Sequence, residues 1–518
     1  MKRLSSIIVL VALSFAFNAQ ADYTGDTYFC SNKTLGKLPV QQGGRVKPLK
    51  VHAKETIKHL TGKSSVDGLN SLTAYCLISL QGLGLKNTLD PKAPIEHVET
   101  RKLLGLSEDH KRESLSKLVS EFPRIRATWQ KIKEESSYKK DLNKLLSRIN
   151  LYAELRDGQN WLMPEITPEK DVNWIPLSSF LKEDKVIAAK SVSSTPFVHV
   201  LIEAKKEYIK AKDDNFLIEF TFSNLHLSYV SLLLSLLGLA ALTLFKNFNV
   251  ALGLSVITVL AQTALITFRV MISGRAPITN MYETVLFSGY GALVLSLIIG
   301  HYRKEKTFVY MGLAYNVCTL FMLNFADGML SESISPLVPV LRDNFWLSTH
   351  VTTIILSYGA LALSWILGNT VLIKKRFMGL SKEESKYYSD LIYTTLKYGT
   401  VLLAAGIILG GVWADYSWGR FWGWDPKETW SLIVLCLYMA ILHGKYTNWI
   451  PERRFIPLTT ASFMSVMMAW FGVNYILASG LHSYGFSEGG AIFLGTFFAI
   501  QTAVLIVTGI DFNSEKTA

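Results

Sequence analysis

The sequence predicts a mostly α protein: a polytopic membrane helical bundle of about nine spans, preceded by a largely helical periplasmic domain. Three observations carry this prediction. The 518 residues are 49% hydrophobic, too apolar for one ordinary globular domain. Residues 22–223 hold no apolar run long enough to cross a bilayer, whereas the remainder is almost entirely apolar segments of the roughly 20 residues that a spanning helix needs. The chain also opens like an export signal.

That signal is residues 1–21. Lys2 and Arg3 precede a short apolar stretch from Leu4 to Phe17, and Ala19-Gln20-Ala21 closes it, the charge, core and small-residue order of a secretory leader. An uncleaved signal anchor would leave everything downstream in the same topology. Export of residues 22–223 follows.

The exported segment reads as helical near 51–62, 66–80, 111–134, 137–156 and 200–213, with an irregular Trp- and Pro-bearing piece between Asp157 and Pro196. It resembles no catalytic site, which leaves docking or scaffolding. The stretch from Leu38 through Gly43-Gly44-Arg45 to Leu49 is turn-forming and distinctive, without a mechanism attached. About half of the net +12 charge lies here, 32 basic against 26 acidic residues spread along helical stretches. Such spreading describes a solvated surface and no nucleic-acid partner. The four cysteines form no CxxC pair, so neither a redox dithiol nor a zinc site is indicated. Cys30 and Cys76 share the exported segment, a compartment that permits a disulfide.

Nine spans are expected near 225–245, 249–272, 285–302, 307–325, 346–373, 393–412, 429–444, 456–478 and 488–509. With the exported segment outside, the inner loops and tail hold thirteen Lys and Arg residues, while the outer loops hold only Arg275, Arg342, Arg420 and Lys427. This bias puts the C-terminus on the cytoplasmic side.

Between the sixth and seventh spans, residues 413–430 carry five tryptophans in 18 residues: Trp413, Trp418, Trp422, Trp424 and Trp430. An interfacial belt accounts for two or three of them. It does not account for Gly419 and Gly423, which let backbone pass close to a flat partner while the indoles offer broad apolar faces. A large planar ligand fits that combination. Asp425, Pro426 and Glu428 stand in the order of an N-cap, a first helical residue and the return partner of a capping box. Arg420 and Lys427 are cations beside the shelf, placed for ligand carboxylates such as haem propionates or for lipid headgroups.

His350, in the first turn of the fifth span, and His482, just beyond the eighth, share the side of this loop. Two neutral imidazoles facing one another across a tryptophan shelf would make an axial pair for haem iron. His443 follows Trp430 by 13 residues and so sits about 20 Å deeper along the helix. It belongs to a different place, as a candidate on a pathway through the membrane. His226 and His301 read as interfacial.

The run Trp418-Gly-Arg-Phe-Trp-Gly-Trp-Asp425 resembles the WWD motif of haem-handling proteins, and its Pro-Lys-Glu-Thr-Trp continuation is similar to the CcsA (ResC) branch of system II cytochrome c biogenesis. Ser273-Gly274-Arg275-Ala276-Pro277 with Tyr282-Glu283, the surroundings of His350 with Ser357-Tyr358-Gly359, and Leu481-His482-Ser483-Tyr484 match as well. The resemblance covers most of residues 225–509, within a domain spanning 224–518, and the exported segment looks like the extension of longer or fused forms.

The resemblance implies an inner-membrane haem lyase (holocytochrome c synthase) component, with His350 and His482 as external ligands to haem b and His443 binding haem within the membrane. It implies action together with a CcsB (ResB)-type subunit, absent from this chain, on apocytochrome c. A haem exporter and a system I-type haem-handling protein without synthase activity are the competing readings.

Overall fold

The computed structural model describes residues 28–82, 89–134, 136–182, 194–326, 328–335, 343–477 and 489–509. The leader at 1–21 and His482 lie outside the described residues. The chain forms two compact units, one ending at Asn224 and the other beginning at Leu225.

The first unit combines helices with small antiparallel hairpins. Strands β1 (Pro39–Gln42) and β2 (Arg45–Pro48) pair from Pro39 with Pro48 to Gln42 with Arg45. The two residues between them, Gly43 and Gly44, have φ of 58° and 80°. Such a turn needs positive φ at both positions, so only a Gly-Gly-like pair closes it without strain. Helix α1 (Leu49–Thr61) follows, then a short hairpin of β3 (Ser65–Val66) and β4 (Leu69–Asn70), and α2 (Ser71–Ser79). β5 (Lys92–Pro94) and β6 (Arg112–Ser114) flank α3 (Val98–Leu103). Helices α4 (Leu115–Ser120), α5 (Phe122–Lys131) and α6 (Ser137–Arg156) come next. β7 (Leu162–Ile166) pairs with β8 (Val172–Pro176), ahead of α7 (Leu177–Lys182), α8 (Ser194–Ala211) and α9 (Phe216–Leu225).

Helix α6 shows why these segments fold. Ser136 caps it by accepting the Lys139 N–H, and Leu142, Leu145, Leu146, Ile149, Tyr152 and Leu155 fall on one buried face at helical spacing. Three expectations for this unit change. The helix expected over 66–80 starts only at Ser71, because Asp67 (φ 49°) and Gly68 (φ 81°) turn the chain into a hairpin first. The stretch 111–134 breaks into β6, α4 and α5, with Pro123 in the first turn of α5, where a missing N–H costs nothing. The piece from Asp157 to Pro196, expected to be irregular, contains the β7–β8 hairpin.

The distinctive stretch around Gly43-Gly44-Arg45 acquires a structural role. Arg45 reaches Glu219 through two hydrogen bonds of 2.6 and 3.1 Å. Lys47 donates to Gln42 and to Glu55 at 2.9 and 2.5 Å. His52, 1% exposed, contacts Gln42 through Nδ1 and Tyr75 and Asn160 through Nε2, all within 3.1 Å. Burial, then the neighbouring Lys47 charge, pulls the His52 imidazole down to about 4. Cys30 and Cys76 are joined in a disulfide across 46 residues.

The second unit is a bundle, and the chain is a multi-pass membrane protein. Helix α10 (Leu227–Thr243) is separated from α9 by His226, whose φ of 45° interrupts the helical path. It is followed by α11 (Phe248–Ser273), α12 (Met281–Arg303), α13 (Thr307–Phe325), α14 (Asn344–Met378), α15 (Lys382–Trp418), α16 (Pro426–Tyr446), α17 (Glu452–Tyr475) and α18 (Gly490–Gly509). Among the described residues nine helices are long and apolar enough to cross a membrane. Small and polar residues join them: Gln262 and Ser235 both bond to Asn316, at 3.0 and 3.2 Å, as interhelical contacts do where lipid offers no hydrophobic drive. Two helices carry one π turn each, α14 at Leu347–Val351 and α17 at Met468–Gly472.

Candidate functional site

The ends of α12, α14, α15, α16 and α17 line one cavity with an open mouth. One wall is Ile278–Met281 and Thr284, leading into α12. A second is His350, Val351, Ile354 and Tyr358 of α14. The third runs along α15 from Gly410 through Trp413 and Trp418 to Phe421, Trp422, Lys427 and Glu428. Ala469, Trp470 and Asn474 of α17 complete it.

Both π turns open onto this space, His350 lying in one and Ala469 with Trp470 in the other. A π turn holds one extra residue in the helix and is found mostly where a side chain must be re-aimed. The His350 Nδ1 lies 2.8 Å from the carbonyl oxygen of Gly406. A carbonyl only accepts, so Nδ1 carries the hydrogen and Nε2 bears the lone pair, the tautomer of a metal-ligating histidine oriented from its other nitrogen. The ring rests on α15 where a methyl group at Gly410 would overlap it, and Phe421 rests in the same way on Gly411. Trp413, 9% exposed, meets the imidazole edge-on at 5.8 Å and packs with Ile278 and Leu347.

The loop after α15 is shaped by its cap. Gly419 ends the helix with φ 68°. Asp425 caps α16 by accepting the Lys427 and Glu428 N–H groups at 2.9 and 3.0 Å, while Glu428 accepts from Asp425 and Gly423 at 3.3 and 2.6 Å. Both acids are buried, and both form a reciprocal capping box. Arg420 lays its guanidinium on Gly423, where any side chain would overlap it. Trp424 takes φ 58°, which a non-glycine residue adopts only when its surroundings impose it. It is 69% exposed and meets Trp422 edge-on at 6.0 Å.

Of the ten residues expected at the site, His350, Trp413, Trp418, Trp422 and Lys427 line one cavity. Asp425, Arg420 and Trp424 stand in the loop that frames it without lining it. His443 lies near the far end of α16, exposed, its Nδ1 donating to the Met439 carbonyl at 2.9 Å. His482 falls outside the described residues. Sequence reasoning missed Trp470, whose indole donates to Thr284 at 3.2 Å, and Asn474, whose amide donates to the Trp470 carbonyl. It also missed the seats at Gly410 and Gly411, which the Gly406–Gly410–Gly411 spacing of small residues on one helix signals.

Two donors on the cavity wall, Trp413 Nε1 and Trp422 Nε1, are buried without a hydrogen-bond partner among the described residues. An orphaned buried donor costs about 1–3 kcal/mol, which an acceptor on a bound molecule would relieve. Among the described residues no group of three or more His, Cys, Asp or Glu side chains is arranged to hold a metal ion. The site offers one imidazole, aromatic faces, two indole donors and a lysine. This set fits a flat molecule that carries acceptors at its edge and takes one axial ligand from this wall.

Residues 278–482 match the family model described as cytochrome c assembly protein. The cytochrome c biogenesis protein CcsA of Guillardia theta is 33% identical over 298 residues, covering 51% of this chain and 96% of that protein. Protein NrfI of Wolinella succinogenes is 28% identical over 88% of this chain, which spans about half of it, 54%. Among solved structures, the cytochrome c haem lyase CcmF overlaps with a TM-score of 0.39 at 15% identity, over 55% of this chain and 50% of that one.

Proposed function

As the chain belongs to the CcsA family of cytochrome c biogenesis proteins, we propose that it conveys haem across the membrane and presents it in the His350 cavity for attachment to apocytochrome c. The observation that carries this reading is the His350 imidazole, fixed through Nδ1 on the Gly406 carbonyl at the wall of a tryptophan-lined cavity. In this reading the first unit and the cavity face the periplasm of a bacterial-type inner membrane, and the C-terminus is cytoplasmic. The haem is haem b, held non-covalently.

Each residue then has a task. His350 and His482 serve as the ligands to the haem iron. Trp413, Trp418 and Trp422 cover the porphyrin faces, and Trp424 extends that surface at the open side. The indole N–H groups of Trp413 and Trp422, with Lys427 and Arg420, meet propionate oxygens. Asp425 and Glu428 hold the loop through their cap. His443, exposed near the opposite end of α16, binds haem earlier on its way, together with a histidine of a CcsB-type subunit. The thiols of an apocytochrome Cys-x-x-Cys-His segment add across the two haem vinyl groups, S–H to C=C, and this chain contributes positioning.

The test is the visible absorption spectrum of the protein purified with its CcsB-type partner, for wild type, His350→Ala and His482→Ala. Six-coordinate haem in wild type, weakened in each variant and restored by imidazole, is the expected result. Stoichiometric haem with unchanged spectra in both variants overturns the axial assignment.

A further inference from the structure

Among the described residues of the bundle, a buried ion pair stands outside the cavity lining. Arg269, one turn before the end of α11, and Glu283, in the first turn of α12, are 1% and 2% exposed, and neither lines the cavity. Arg269 donates through Nε and Nη2 to Glu283 Oε1 at 3.1 and 2.6 Å, and through Nη1 to the Glu332 carbonyl at 3.0 Å. Its guanidinium lies 5.0 Å from the centre of the Tyr282 ring. The other carboxylate oxygen of Glu283 accepts from the Thr279 N–H and hydroxyl at 2.8 and 2.7 Å, and the Glu283 N–H donates to Asn280 at 2.9 Å.

Two buried charges are an expensive way to join two helices, because desolvation takes back most of their attraction and apolar side chains would do as well. What the pair supplies and apolar contact cannot is a fixed backbone position. Glu283 pins Thr279, the adjoining Ile278 packs with Leu347 and Trp413, and Trp413 meets the His350 imidazole edge-on. We propose that Arg269 and Glu283 are positioning residues for His350, setting through Thr279 and Ile278 the wall against which its imidazole is held. What His350 ligates rests on the functional reading above; where it is held does not.

The experiment measures acylation of His350 by diethylpyrocarbonate, site by site by mass spectrometry, in the full-length protein freed of haem. The exposed His226 and His301 serve as references, and thermal unfolding is followed in parallel. Glu283→Gln removes the charge at constant size, and Arg269→Lys keeps the charge but not the fork. Both are expected to change the His350 rate several-fold and leave the reference histidines unchanged, and the exchanged pair Arg269→Glu with Glu283→Arg should recover part of the shift. A His350 rate equal to wild type beside a lowered unfolding temperature makes the pair merely structural and overturns the proposal. Should Glu283→Gln fail to fold, Arg269→Lys, which keeps the charge, carries the decision: an unchanged His350 rate there overturns it too. Haem-loaded samples supply a separate arm. Absence of haem from wild type would sink the functional reading, while the labelling result stands by itself.

Discussion

The absence of a side chain at Gly410 gives His350 its place. In a helix interior, Gly→Ala ordinarily gains about 1 kcal/mol. At Gly410 the added methyl overlaps the imidazole, so Gly410→Ala is expected to leave the unfolding temperature at or above wild type while the six-coordinate haem signature weakens. A retained signature in the absorption spectrum would show that the ring yields without losing its ligand. The same separation of stability from site explains why glycines here were only half legible. Gly419 and Gly423 stood out because tryptophans surround them, whereas Gly410 sits in an ordinary apolar span and its partner is 60 residues away. Trp424 adds a backbone feature that sequence could not suggest, a bulky residue at φ 58° held between the Gly423–Glu428 hydrogen bond and the Asp425 cap.

Among elements, α16 depends most on its first residues. Asp425→Ala removes the acceptor for two N–H groups and is expected to cost about 1 kcal/mol, up to ~2, in thermal unfolding, with Asp425→Asn nearly neutral. A haem-binding loss in the asparagine variant at unchanged stability would instead assign the carboxylate a direct part. The capping box was readable from Asp-Pro-x-Glu alone, because caps are written in contiguous residues. The spans were readable for a similar reason: long apolar runs set α10 to α18 within a few residues in most cases, and the fifth and sixth were extended by polar turns that a hydropathy window passes over. The π turn around His350 was invisible, since one extra residue in a helix leaves no mark on composition. Nor could sequence assemble the cavity, whose walls come from four stretches between Ile278 and Asn474. In the first unit the β-hairpins escaped notice because strands of two to five residues are too short for periodicity to register.

On the scale of the whole molecule, the two units answer to different variables. The first responds to acidity. His52 is held near 4 in the fold, and a histidine in the unfolded chain titrates near 6.5. The unfolded state therefore binds more protons between those values, and stability rises with pH across the window. The neutral form's contribution is complete above about 6.5, falls as pH drops toward 4, and amounts to roughly 3 kcal/mol. Hydrogen-exchange protection factors along α1 in the full-length protein, taken relative to the intrinsic exchange rate at each pH, should fall from pH 7 to pH 5, and His52→Gln should flatten that dependence; an equal pH response in the variant would remove His52 as its source. The second unit answers to the order in which it is made. Arg269 and Glu283 are separated by 14 positions, so they meet once α11 and α12 are in the bilayer. Ile278 and Asn474 both line the cavity, and the ribosome needs about 10–40 s to travel between them at 5–20 residues per second. The anchor of the first wall is thus set long before the last wall exists, and the lining is complete only when the eighth crossing is.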